Sequence, residues 1–224
     1  MTRVLRAIFA PALVLMMTIM GTELLFAQQE TGEGWTPLFN GKDFDGWKFQ
    51  LGGEGTENKG TFTIEDGLLI CKGRPAGYMY TEKSYDDYTL RFEFAFKRPE
   101  GLEDDSKFGG NSGCLIHVGE KNALGIWPRS IEVQGMHRQL GLILPIPRDL
   151  KCELTFDKEA RDRVIKPVGE FNAMEIEVKG GDMVISLNGA IVSTVSDCEL
   201  TEGPIGLQSE GAETHWKNLR IKKR

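Results

Sequence analysis

The sequence predicts an all-β sandwich or barrel. Beyond the first 27 residues helical periodicity is almost absent, while short runs rich in β-branched and aromatic residues recur between Gly, Asp, Asn and Pro. The runs include TFTIEDGLLICKG, YTLRFEFAF, NSGCLIHV, SIEVQ, AMEIEV, MVISLNGAIVSTV, IGLQ and WKNLRIKK. Two turns are specific enough to assign hairpins: Glu65-Asp66-Gly67 between FTI and LLICK, and Asn188-Gly189 between VISL and AIVSTV. No internal repeat is visible, and no linker splits the body.

Residues 1–27 stand apart from this pattern. Arg3 and Arg6 make a short positive start, Ala7 to Met20 carries no charge, and Leu25-Phe26-Ala27 precedes the polar QQETGEG. That order predicts a secretory signal peptide cleaved after Ala27, followed by a short linker over 28–34 and one domain over 35–224. An uncleaved membrane anchor is the alternative, since the apolar run approaches the ~20 residues needed to span; Glu23 interrupts it. Either reading puts the folded part outside the cytoplasm, periplasmic or extracellular, and cleavage leaves no stable membrane insertion.

The formal net charge of −6, with RIKKR at the C-terminus as the one basic run, argues against a nucleic-acid partner, which would require a positive face. Cys71, Cys114, Cys152 and Cys198 are widely spaced and form no CxxC, so no zinc ribbon or thioredoxin-like motif is present and no disulfide pairing can be assigned. The loop Lys97–Gly110 carries Glu100, Glu103, Asp104 and Asp105, but without the alternating ligands and glycine of a calcium loop. It reads as a solvated acidic loop. The longest irregular stretch, Gly135 to Glu170, is rich in Pro, Lys, Arg and Asp, as functional or mobile loops are.

Period-two phasing identifies candidate functional residues. In YTLRFEFAF the residues Tyr88, Leu90, Phe92, Phe94 and Phe96 share the core side, leaving Arg91 and Glu93 outside. In NSGCLIHV, Asn111, Gly113, Leu115 and His117 share one side; in SIEVQ the outward pair is Glu132 and Gln134; in PIGLQSEG it is Gln208 and Glu210. The strand AMEIEVKGG, with Glu175, Glu177 and Lys179 outward, reads as plain solvated surface. The set Asn111, His117, Glu132, Gln134 and Gln208 is richer in short directional hydrogen-bonding groups, suited to sugar hydroxyls or a carboxylate, although edge strands are polar too. Trp127 sits in a loop before the Glu132 strand, to stack on a pyranose face or to cap the core. No GxSxG, HExxH, P-loop or strand-following GxGxxG occurs. His117 and His137 meeting Glu132 would make a metal site, so a divalent metal is left open.

The segments WTPLFNGKDFDGWKF, GGNSGCLIHV, SIEVQ, VIKPVGEFNAMEIEVKGGDMVISLNGAIV and GPIGLQSEGAETHWKNLRIKK resemble, in order, the successive motifs of the 3-keto-disaccharide hydrolase domain family. The resemblance runs from about Trp35 to the end. It implies a concanavalin A-like jelly-roll β-sandwich of two antiparallel sheets with a concave sugar-binding face, common among exported bacterial proteins. It further implies cleavage of glycosides oxidised at sugar carbon 3, by removal of the C2 proton and β-elimination of the C1 substituent. By motif match Glu132 is the base, with Glu210 or His117 as acid or second base. Asn111, Gln134 and Gln208 hold hydroxyls or the enolate, Trp127 lies beside them, and Arg91 or Lys217 supplies positive charge. Two departures stand out. His117 replaces an Arg that ends this strand in many members, and Glu210-Gly211 stands where many have HG. They point either to a rearranged acid/base pair or to a non-catalytic carbohydrate-binding, lectin-like module. A conventional retaining glucanase fits least, because Gln134 stands where the Asp of its ExDxxE strand would be.

Overall fold

The alternating runs pair into two antiparallel sheets, here in a computed structural model that describes residues 34–52 and 55–224. The proposed leader, 1–27, lies outside the described residues. With strands numbered in chain order, the six-stranded sheet runs β2 (Trp47–Leu51), β5 (Gly77–Thr81), β14 (Gly206–Ser209), β7 (Gly113–Ile116), β8 (Ser130–Gln134) and β9 (Ile143–Ile146). The nine-stranded sheet runs β10 (Glu153–Phe156), β13 (Ala190–Ser196), β12 (Asp182–Leu187), β11 (Asn172–Lys179), β6 (Asp87–Phe96), β15 (Thr214–Lys223), β4 (Leu68–Cys71) and β3 (Phe62–Glu65). The short β1 (Trp35–Pro37) adds to β15, with Trp35 opposite Lys222, so the two ends of the folded unit Trp35–Arg224 lie side by side on this sheet.

Both assigned hairpins form. Asp66 and Gly67 take φ values of 51° and 76° between β3 and β4, and Asn188 and Gly189 take 49° and 88° between β12 and β13. Positive φ at both central residues matches the right-handed twist of the flanking strands.

The core fills the space between the sheets. Phe92, Phe94, Met174, Ile176 and Trp216 come from one sheet and Cys114, Ile131, Val133 and Leu207 from the other. Trp216 packs with ring centroids 5.1 Å from Phe92 and 4.5 Å from Phe94. Removing so large a buried side chain costs about 3–5 kcal/mol, which makes Trp216→Ala the most damaging single core truncation on β15.

The stretch 135–170 is less irregular than its composition implies. It contains β9, β10 and a helix, α1 (Lys158–Val164). Pro145 hid β9, but β9 is an edge strand, where proline's missing N–H leaves no ladder bond unmade. Asp157 caps α1, its carboxylate accepting the Ala160 N–H at 2.8 Å.

Candidate functional site

Strand register places the candidate residues. Residues directly opposite in an antiparallel ladder share a face. Glu132 of β8 lies opposite Leu115 of β7, Gln134 opposite Gly113, and Leu115 opposite Gly206 of β14. Gln208 of β14 lies opposite Tyr78 of β5. An isolated bridge then sets Asn111 against Glu210. Five of the sequence candidates (Asn111, Glu132, Gln134, Gln208 and Glu210) therefore share the outward face of the six-stranded sheet.

This face is not an ordinary wetted surface. Glu132 is 6% exposed, Gln134 3% and Gln208 0%. Gln134 is partly satisfied, its side-chain oxygen accepting the Met136 N–H at 2.8 Å. Glu132 Oε1 and both amide atoms of Gln208 have no hydrogen-bond partner among the described residues. Each such atom costs roughly 1–3 kcal/mol, a cost that a ligand with hydroxyls would remove. Glycine at position 113 is what lets these two side chains settle over β7. A side-chain carbon there would lie 2.4 Å from Gln208 Oε1 and 3.2 Å from Glu132 Oε1.

Burial, and then the charge of nearby Glu210, push the Glu132 carboxyl up to about 7, against the weaker opposing pull of Arg148 and the Gln208 amide. Although the amide lies close enough to favour the carboxylate, it leaves Oε1 without a bond of proper geometry. Burial also raises Glu210, with the Asn111 side chain holding its carboxylate in the opposite sense. Two carboxyls near one another, one of them poised near neutral pH, form an arrangement capable of moving protons.

An apolar patch adjoins these groups. Tyr78, Leu115, Val118 and Ile146 cluster on the same face, with Tyr80 and Trp127 packed against them. Tyr78 and Tyr80 rings lie 5.5 Å apart, and the buried Tyr78 hydroxyl has no partner among the described residues. Trp127 thus joins the aromatic patch beside the polar cluster. Phasing overlooked Tyr78, Tyr80 and Arg148. The alternation in GYMYT was signal enough for the tyrosines, whereas nothing in PIPRD brings Arg148 toward Glu132.

Three candidates lie elsewhere. His117 adopts φ 56°, which ends β7 at Ile116 and breaks the period-two phase. Its ring is fully buried, with Nε2 3.0 Å from the carbonyl oxygen of Gly180 between β11 and β12, and burial holds the imidazole below the usual range. Val118, not His117, returns to the Leu115 face. Arg91 and Lys217 do point outward, but from the nine-stranded sheet: Arg91 pairs with Glu175 and lies over Trp35 at 4.6 Å, while Lys217 pairs with Glu93 at 3.3 Å. His137 bonds the Lys166 carbonyl at 3.0 Å, so the two histidines do not meet Glu132. Among the described residues no group of three or more His, Cys, Asp or Glu is placed to hold a metal ion. Nor is any described helix long and apolar enough to cross a membrane.

Two antiparallel sheets stacked with a polar cluster on one outer face define a concanavalin A-like jelly roll, and solved structures agree. A glycosyl hydrolase candidate from Parabacteroides distasonis is similar at 23% identity and TM-score 0.62, covering 86% of this chain and 94% of its own. The carbohydrate-binding module CBM66 of Bacillus subtilis is similar at 15% identity and TM-score 0.56, over 81% and 98%. The β-glucanase of Bacillus licheniformis follows at 12% and 0.51, over 87% and 100%. No curated protein matches. Residues 34–222 match the family model of the 3-keto-alpha-glucoside-1,2-lyase-like domain, and the chain belongs to that family. Membership of that family gives it a carbohydrate-related role.

Proposed function

We propose that the protein is an exported enzyme that cleaves 3-keto-glycosides by C2 proton abstraction and β-elimination. One observation carries this reading: the buried Glu132 carboxyl, raised to about 7, keeps an unpartnered oxygen beside the unpartnered amide of Gln208, both lying over Gly113. A ketone at C3 acidifies the C2 proton, and a carboxylate with a pKa near the working pH is suited to take it. The electron pair of the C2–H bond moves toward the C3 oxygen as an enolate, which the Gln208 amide N–H would stabilise. Collapse of the enolate breaks the bond from C1 to the aglycone oxygen. The proton that Glu132 has taken passes through Glu210, whose carboxyl is also raised by burial, to that oxygen. Addition of water to the resulting enone completes net hydrolysis. Tyr78, Tyr80 and Trp127 would offer flat apolar surface to the sugar ring, and Asn111 would hold Glu210 in place.

Incubation with a 3-keto-glucoside tests the reading: the aglycone should be released, and Glu132→Gln should abolish release. A mutant that still turns over removes Glu132 from the chemistry. The second reading, a carbohydrate-binding module without turnover, is favoured by the aromatic patch beside the polar cluster. Calorimetry with unmodified glycans separates the two, since binding without any turnover of the 3-keto substrate selects the module. Export rests on the leader pattern, and N-terminal sequencing of the mature protein should begin at Gln28.

A further inference from the structure

We propose that Cys152 and Cys198 form a disulfide that ties the start of β10 to the end of β13. The ladder between these strands sets Glu153 opposite Ser196, so an unbroken register would bring Asp197 to Cys152. It is broken there. Asp197 takes φ 52°, and the Glu199 N–H donates to the Lys151 carbonyl at 3.1 Å while the Lys151 N–H donates to the Glu199 carboxylate at 3.0 Å. Two residues on one strand thus oppose one on the other, as in a β-bulge, and Cys198 is brought across from Cys152.

The two side chains lie against each other at the edge of the core, Cys198 buried and Cys152 half-buried. Facing positions in an antiparallel ladder have Cα separations of about 4.5–5.5 Å, within the range a disulfide spans. The other cysteines have different surroundings. Cys71 on β4 donates its thiol to the Gln208 carbonyl at 3.7 Å, and Cys114 is sealed between the sheets. The pair closes a loop containing α1, β11 and β12, so the cross-link would restrict a large part of the unfolded chain.

Oxidation needs a disulfide-bearing oxidant. The Cys152 thiolate attacks it, forming a mixed disulfide and releasing one thiol. The Cys198 thiolate then attacks the Cys152 sulfur and releases the second, so two electrons and two protons pass to the oxidant. The full chain, purified under reductant and then exposed to oxidised glutathione, should lose the mass of two hydrogen atoms. A peptide map with free thiols blocked should join the Cys152 peptide to the Cys198 peptide and find Cys71 and Cys114 as thiols. Reductant should then lower the melting temperature of the oxidised protein by roughly 4–12 °C and leave Cys152→Ser and Cys198→Ser unmoved. Four alkylatable thiols after oxidation, a linkage through Cys71 or Cys114, or a glutathione adduct on Cys152 that never resolves would overturn the proposal. The map on the wild-type chain decides it even where a serine variant fails to fold.

Discussion

The two outer faces of the sandwich read alike in sequence and differ in physics. On the nine-stranded sheet the outward charges are matched to one another: Arg91 with Glu175, Lys217 and Asn218 with Glu93, Arg224 with Glu177, and both Arg91 and Arg220 over Trp35. A concavity of about 380 Å³ lies there, between Arg91, Glu93, Glu175 and Asn218. On the six-stranded sheet the outward groups are fewer, more buried and incompletely bonded, Gln208 above all. That concavity lies on the face without the Glu132 cluster; what marks the six-stranded face is its buried carboxyl and amide with unmet hydrogen bonding. A surface that satisfies itself has little to offer a ligand, whereas Glu132 and Gln208 gain from one.

The contrast is most sharply broken at Glu132. Replacement by Gln keeps the shape and removes the base, so turnover of a 3-keto-glycoside should fall by about 10²–10⁴-fold in a steady-state release assay. Crowding the Gln208 amide comes next. The new methyl of Gly113→Ala would meet Gln208 Oε1 at 2.4 Å, and the displaced amide should cost on the order of 10–100-fold in kcat/KM with the fold retained by circular dichroism.

A third test uses pH. Because the folded Glu132 pKa of about 7 lies above its ordinary 4.5, folding disfavours its ionised form. The penalty is absent below about pH 4.5, grows as pH rises, and is complete above about pH 7, where it amounts to about 3 kcal/mol. Glu132→Gln should therefore melt higher than wild type at pH 8 and level with it at pH 4, and wild-type kcat/KM should climb through pH 7. A variant less stable than wild type at pH 8 would mean that the carboxylate is held by bonds rather than stranded. The smallest effect belongs to the other face: Glu175→Ala should change stability by less than about 1 kcal/mol in denaturant melts and leave turnover alone.

Much of this was legible in the sequence. Alternation alone put Glu132, Gln134, Gln208 and Glu210 on outward phases, and the two Asx-Gly turns located both hairpins. What alternation gives is the side of a strand, not the sheet to which the strand belongs. Arg91 and Lys217 were misplaced for that reason, since β6 and β15 pair with each other in the opposite layer. His117 failed differently. A single left-handed residue shifts the phase by one, and period-two counting has no means of seeing it. Arg148 reaches Glu132's neighbourhood through the path of a loop, which no local pattern encodes.

The pairing of β1 with β15 also has a practical side. Since both extremities of the folded unit are strands of the nine-stranded sheet, a tag, tether or solid support joined at either one would be attached to the layer that does not carry the Glu132 cluster. Immobilised protein should therefore keep the Glu132 face open, and a surface sensor loaded through one extremity should report the same affinity as one loaded through the other.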